Sequence, residues 1–377
     1  MKNKKIFYLI FVVAVLTLAV GILRNVTEKK LRSDIGQMLI IGFRGTEVSE
    51  GSFIVKAIRE LNIGGVILFD IDGPTKSFPR NIVNAQQVSA LIAGLKKNAK
   101  TPLIVAVDAE GGGVNRLKPD YGFIAMPGAQ ELGGRDDLAL TRRISGELAS
   151  QLSQLGFNVN FAPCVDLGVN LDNPVIARMG RSFSADAETV VRHAAAFIKG
   201  QKDHGILTAI KHFPGHGSSQ QDSHKGLTDV TATYKANELI PYQELIKDGI
   251  VDMVMTAHII NKNIDDRYPA TLSGRYIQEI LRERLGFQGV VVSDDLQMGA
   301  ITEHYGFQEA VIRAVLAGCD LLVISNNGKV YDETAARQAR DIIYQAVKDG
   351  VIPPCRIKES LRRLYNMKAR LHSGFSK

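Results

Sequence analysis

The stretch GVVVSDD, residues 289–295, is a short, fully apolar run that ends in a hydroxyl and two carboxylates. Successive side chains of a strand point to opposite faces, so an unbroken apolar run suits a parallel strand covered on both sides. Working outward, seven similar runs occur: Met38–Gly42, Gly65–Phe69, Leu103–Val107, Val159–Ala162, Thr208–Lys211, Met253–Ala257 and Leu321–Ile324. Amphipathic helical patterns lie between them at Leu138–Leu155, Ala187–His204, Ser273–Leu285, Phe307–Ala317 and Thr334–Asp349. Eight such units predict a (β/α)8 TIM-type barrel. An open doubly wound sheet would want a GxGxxG turn after an early strand, and Asp108-Ala-Glu-Gly-Gly-Gly lacks that order.

The polar residues then fall in one place. The third run ends at Asp108, the fifth at Lys211-His212, the sixth at His258 and the seventh at Ser293-Asp294-Asp295. In a barrel these strand ends converge on one mouth, where such folds carry out chemistry.

The 377 residues hold 46 basic and 39 acidic side chains, a formal charge of +7. The excess is thin. It gathers at Lys2, Lys4 and Lys5, at Lys29, Lys30 and Arg32, and in the last helix (Arg356, Lys358, Arg362, Arg363, Lys368, Arg370), read as solvated helix charge. No basic stripe interleaved with aromatics appears, so no nucleic-acid partner is expected. Three scattered cysteines, Cys164, Cys319 and Cys355, form no CxxC and fit inert thiols better than a disulfide framework.

The uncharged run Ile6–Leu23 is near the lower limit for spanning a bilayer, and no small-x-small cleavage site follows it. It predicts one N-terminal transmembrane helix, with residues 1–32 as membrane anchor and juxtamembrane segment. Residues 33–377 then form one catalytic domain outside the cytoplasmic membrane. Secretion after signal-peptide cleavage is the alternative.

The densest chemical signal is KHFPGHGSSQQDSH, residues 211–224. Three histidines and a carboxylate might hold a metal, but glycine and proline break the segment and the spacing matches no standard zinc pattern. No metal is expected. His216, between two glycines, reads equally well as a loop fastener. Asp222 and His224 are two residues apart, so in an extended loop they share a side. A carboxylate beside imidazole fixes its tautomer and favours its protonated form, as a general acid requires.

This segment resembles the signature of the bacterial β-N-acetylglucosaminidases of glycoside hydrolase family 3. VDAEGGGVNRL (107–117), NPVIARMGRSFSAD (173–186) and GVVVSDDLQMGAI (289–301) are similar to further segments of that family, in order, across most of residues 33–345. The resemblance implies a barrel, Asp294 as nucleophile, His224 as general acid/base and Asp222 as its dyad partner. It also implies sugar-binding roles for Asp108, Arg116, Arg181, Lys211 and His212, with Arg178 a rival to Arg181. Asp295 is expected to be structural. Gly113 departs from the family, which commonly has Arg there.

The implied activity is retaining exo-hydrolysis of terminal β-linked GlcNAc from peptidoglycan fragments, without metal or organic cofactor. A β-glucosidase or GlcNAc phosphorylase of the same family, and a non-catalytic wall-sugar-binding protein, are the alternatives.

Overall fold

The computed structural model describes residues 25–221 and 226–373. Eight parallel strands form one sheet: β1 Leu39–Gly42, β2 Gly65–Ile67, β3 Ile104–Val107, β4 Val159–Asn160, β5 Leu207–Phe213, β6 Met253–Thr256, β7 Val290–Val292 and β8 Leu322–Ile324. Sequence neighbours pair from β1 to β7, and β8 pairs with β1. Every residue of these strands is buried, as helices over a filled barrel interior require.

The sheet is nearly closed. β7 and β8 meet at a single bridge, Val292–Leu321. Polar side chains take the place of the missing ladder: Val291 N donates to Asp320 Oδ2 at 3.1 Å and Val323 N to Ser293 Oγ at 3.0 Å. Buried backbone donors at the seam are thereby satisfied without a regular strand pair.

The expectation of a TIM-type barrel preceded by a transmembrane helix is corrected in two respects. Closure is one bridge supplemented by side chains. Among the described residues, moreover, no helix is long and apolar enough to cross a membrane. The run Ile6–Leu23, on which that helix was expected, lies outside the described residues. The first described helix, residues 25–36, carries Glu28, Lys29, Lys30, Arg32 and Asp34, a composition unsuited to hydrocarbon.

Helix boundaries follow local chemistry. The helix Leu138–Leu155 starts at Asp137, whose carboxylate accepts from Leu140 N, and ends at Gly156 with φ 96°. Ala187–Lys202 starts at Asp186 in the same way. These two helices pack closely: a Cβ on Gly200 would lie 2.5 Å from Arg142 O. The stretch expected over Ser273–Leu285 is a π-helix, Arg275–Arg284. It buries Arg282, which donates to Phe287 O, Gly289 O and Asp320 Oδ2.

The last helix, Pro354–Ser373, is not a solvated row of charges. Arg356 Nη2 reaches Asp320 Oδ1 at 2.6 Å, Arg363 Nη1 reaches it at 3.1 Å, and Arg370 Nη1 pairs with Asp252 at 2.7 Å. Arg356, Arg363 and Arg370 staple the helix to strand starts at the floor of the barrel, while Lys358 and Arg362 are exposed, as expected of solvated charge.

Lys368 is also buried, donating to Gln37 Oε1 and Gly64 O, both at 2.8 Å. Burial pushes its ammonium down to about 7 from the usual 10.5. Between those two values the unfolded chain binds the extra proton, so this group's contribution to stability rises with pH. Lys368→Met removes the charge, while Gln37 Oε1 keeps Thr101 Oγ1 and Gly64 O keeps Ile104 N as donors. Melting curves should show the variant more stable than wild type at pH 7, by on the order of 2–4 kcal/mol, with the gap closing towards pH 10. A gap independent of pH would show that Lys368 is charged in the folded protein throughout.

Candidate active site

The ends of the strands open onto a cavity of about 680 Å3, bordered by Asp108, Arg116, Arg181, Lys211, His212 and Asp294. The five expected sugar-binding residues and the expected nucleophile therefore meet at one mouth. Asp222 and His224 lie outside the described residues.

Asp108 directly follows β3, and Lys211 and His212 belong to β5. Asn160, at the end of β4, holds the chain beyond Asp108 with both ends of its amide. Ala109 N donates to Oδ1 at 3.1 Å, and Nδ2 donates to Ala109 O at 2.9 Å. Lys211 Nζ bridges Asp108 Oδ1 at 2.9 Å and Glu110 Oε1 at 2.6 Å. Arg181 clasps Glu110 with two parallel bonds, Nε to Oε2 at 2.8 Å and Nη2 to Oε1 at 2.7 Å. Burial alone would raise the Glu110 carboxyl, but Arg181 and Lys211 hold it down at about 2. Arg181 is thus committed to a buried carboxylate and reaches the cavity from behind it.

Arg178, the rival to Arg181, pairs with Asp172 on the surface, its side chain 63% exposed against 8% for Arg181. Arg116 stands nearer the opening, with Nη2 3.7 Å from Asp108 Oδ2 and its guanidinium over the Phe69 ring. Gly113 lines the cavity, where a Cβ would come 3.3 Å from Met179 O.

His212 is set by Asp166. Its Nδ1 is 2.6 Å from Asp166 Oδ2, and its Nε2 is 3.2 Å from Arg181 Nη2. A guanidinium can only donate, so Nε2 is the acceptor and Nδ1 carries the proton shared with Asp166. Asp166 also accepts from His212 N at 3.1 Å, His216 N at 2.8 Å and Cys164 Sγ at 3.2 Å. Burial would raise its carboxyl, but the two histidines and these donors hold it well below the usual carboxylate range.

His216 is indeed fastened: its Nδ1 is 2.6 Å from Ser219 Oγ, and its carbonyl accepts from Asn173 Nδ2. It also borders the cavity, and burial lowers it to about 4. Glu238 secures the next turn, accepting from Gly217 N at 2.8 Å and Ser218 N at 3.2 Å. Only glycine fits at 217, since a Cβ would lie 1.9 Å from Leu167 O.

After β7 two adjacent carboxylates both border the cavity but have different partners. Asp295 is occupied by Ser325, through its hydroxyl and its N–H at 3.0 Å, and by Gln297 N at 3.2 Å. Burial pushes its carboxyl up against these bonds. His258 is buried beneath the turn, its Nε2 donating to Asp295 O at 2.9 Å, so this strand end supports the site from below. Asp294 Oδ1 accepts from Asp295 N at 2.7 Å, and the side chain borders the cavity.

Residues 30–367 match the family described as the glycosyl hydrolase family 3 N-terminal domain. The chain belongs to glycosyl hydrolase family 3. It is a glycosidase. It is similar to the curated β-hexosaminidase of Tolumonas auensis, at 36% identity over 275 residues, covering 72% of this chain and 78% of that protein. The β-hexosaminidase of Haemophilus influenzae is 34% identical over 295 residues, 76% of this chain and 79% of that one. Among solved structures, a family 3 β-N-acetylglucosaminidase from Paenibacillus sp. FPU-7 superposes with a TM-score of 0.82 at 37% identity. That match covers 90% of this chain, which spans 62% of the Paenibacillus chain.

Three residues that organise the family 3 mouth escaped sequence reasoning. Glu110 lay in a quoted motif beside Asp108 but was assigned no role. Asp166 lies six residues past the end of β4, beyond Pro163, so the strand-end position that marks Asp108 does not mark it. Ser325, two residues past the polar seam at β8, had no distinguishing signal.

The Glu110 pairing predicts a specific acid response. Its carboxyl is depressed to about 2 from 4.5, so its contribution is complete above about 4.5 and is lost as pH falls towards 2. Glu110→Gln leaves Arg181 and Lys211 facing a neutral amide and should cost about 3–5 kcal/mol at pH 7. Denaturant unfolding of both proteins from pH 7 to pH 2 should show that deficit shrinking through the acid range. An undiminished deficit at pH 2 would locate the effect in packing instead of charge.

Proposed function

We propose that this chain removes terminal β-linked N-acetylglucosamine from the non-reducing ends of cell-wall fragments by a two-step, retaining hydrolysis. The β-hexosaminidase character of the activity rests on family membership and on the curated relatives above. The residue roles are supported by one observation above the others. Asp294, just after β7, borders the same cavity as Asp108, Arg116, Arg181, Lys211 and His212, and its neighbour Asp295, which also lines the cavity, accepts hydrogen bonds from Ser325 and Gln297.

In the first step an Asp294 oxygen attacks the anomeric carbon as the glycosidic bond breaks, and His224 gives its proton to the departing oxygen. In the second, neutral His224 takes a proton from water, which attacks the glycosyl ester and frees Asp294. Asp222 orients and stabilises the imidazolium. Asp108, Lys211 and His212, backed by Arg181 and Glu110, present fixed polar groups to the sugar hydroxyls. Such pre-oriented donors and acceptors suit a ring whose hydrogen-bonding groups are all equatorial or near it. Wall fragments outside the cytoplasmic membrane are the substrate pool we favour, a reading supported by the apolar run of residues 6–23.

The test is kinetic. Asp294→Asn should lower kcat on an aryl β-N-acetylglucosaminide by about 10³-fold or more with the fold intact, and Asp295→Asn should be less damaging. His224→Ala should slow a natural disaccharide far more than the first step on the aryl substrate, where a burst precedes slow turnover. Azide should speed that second step. Equal damage to both substrates, without burst or azide rescue, would remove His224 from the proton-transfer role. Faster cleavage of the matching β-glucoside would overturn the substrate assignment.

A further inference from the structure

Beside the sugar pocket, and sharing His212 with it, lies a second chemical grouping. Cys164, Asp166 and His212 are all buried, and their donor atoms lie within 4.8 Å of one another. It joins a soft sulfur, a carboxylate and an imidazole nitrogen, the ligand types that bind zinc and cadmium. Cys164 is bridged to Lys211 on β5, so the grouping sits on the barrel wall.

We propose that Cys164, Asp166 and His212 form an inhibitory site for a soft divalent cation, zinc or cadmium. Two protons now occupy the places that the ion would take. One is the Cys164 thiol proton, directed at Asp166 Oδ2 across 3.2 Å, and the other is on His212 Nδ1, 2.6 Å from the same oxygen. A cation bound by all three groups replaces both. The thiol proton leaves to solvent, and the imidazole proton moves from Nδ1 to Nε2. The thiolate and carboxylate then balance the charge of the ion, with a water from the neighbouring cavity as fourth ligand.

This exchange reaches the sugar pocket through His212. Nε2 now accepts from Arg181 Nη2 at 3.2 Å. Once Nε2 carries a proton, two donors face each other across that contact and it is lost. Geometry acts in the same direction. Tetrahedral zinc ligands stand roughly 3.3–3.6 Å apart, wider than the present hydrogen bonds, so the imidazole must retreat from Asp166. It can retreat only towards Arg181 and the cavity that it borders. The ion is therefore a competitor of substrate and is not required for turnover. Burial, with Asp166 next in weight, holds the Cys164 thiol protonated, so the cation has a proton to displace before it can bind the sulfur.

The proposal rests on the cavity being the sugar site, but its ligand set is read independently of activity. Purified full-length chain is titrated with cadmium chloride, and the ultraviolet thiolate-to-cadmium charge-transfer band is recorded. One equivalent should produce the band, Cys355→Ser should retain it, and Cys164→Val and Cys164→Ser should both lose it. In parallel, zinc chloride should inhibit cleavage of an aryl β-N-acetylglucosaminide, raising KM more than it lowers kcat, and chelator should reverse it. Cys164→Ser, which keeps a donor for Asp166, should need at least tenfold more zinc for the same fractional inhibition, each rate being taken relative to that variant's own uninhibited rate. A band that survives in both Cys164 variants, or no band in the wild type, overturns the site. So does undiminished zinc sensitivity in Cys164→Ser. If neither variant folds, retention of the wild-type band at saturating N-acetylglucosamine would equally overturn it, because sugar and ion cannot share His212. Should the enzyme lack this activity altogether, the cadmium titration still decides the ligand set.

Discussion

Two buried carboxylates govern this barrel mouth. Glu110 and Asp166 have lost their hydration, and a carboxylate in that state persists only where cations and donors replace the water. Glu110 is answered by Arg181 and Lys211, and Asp166 by His212, His216 N and Cys164. The answering groups come from the Asn173–Arg181 loop, from β5 with the turn after it, and from the segment after β4 itself, so satisfying the two charges locks the chain beyond β3, the segment after β4, the Asn173–Arg181 loop and β5 into one arrangement. The polar wall of the cavity follows from that electrostatic requirement. His212 links the two centres, with Asp166 on one ring nitrogen and Arg181 on the other.

The opposite wall is built on a different principle. The turn after β7 brings two adjacent carboxylates to the cavity and gives them different partners. Asp295 is turned into hydrogen bonds with β8's end, where it helps close the barrel seam near its single bridge. Asp294 also borders the cavity, its Oδ1 accepting from Asp295 N. Asp294, the nucleophile we propose, is set on a turn held by its neighbour's carbonyl, through His258, and by Ser325, and has little freedom to drift. The same seam that departs from a regular barrel thus rigidifies the turn that carries Asp294.

The eight strands were legible because each is buried on both faces and so reads as an unbroken apolar run. Asp108, Lys211, His212 and Asp294 were legible because a polar residue at the end of such a run has no packing reason to be there. Arg181 was legible only through resemblance, since it sits on a loop without periodicity. The last helix was misread. Arg356, Arg363 and Lys368 have the spacing of surface charge, and only the position of Asp320 and Gln37 on other segments turns them inward. The stretch Arg275–Arg284 had a helical pattern, yet nothing local announced that Arg282 would be drawn into a π-helix to meet Asp320.

By itself the sequence determined the alternation of strands and helices, the mouth on which chemistry-bearing residues converge and the family to which the chain belongs. These depend on periodicity and on short motifs, which are properties of neighbouring residues. Tertiary structure decided which charge meets which: that Arg181 serves Glu110, that Asp166 sets the tautomer of His212, and that Asp295 meets Ser325. Those pairings join residues far apart in the chain, and a buried charge selects its partner by distance and desolvation, neither of which is written in the order of residues.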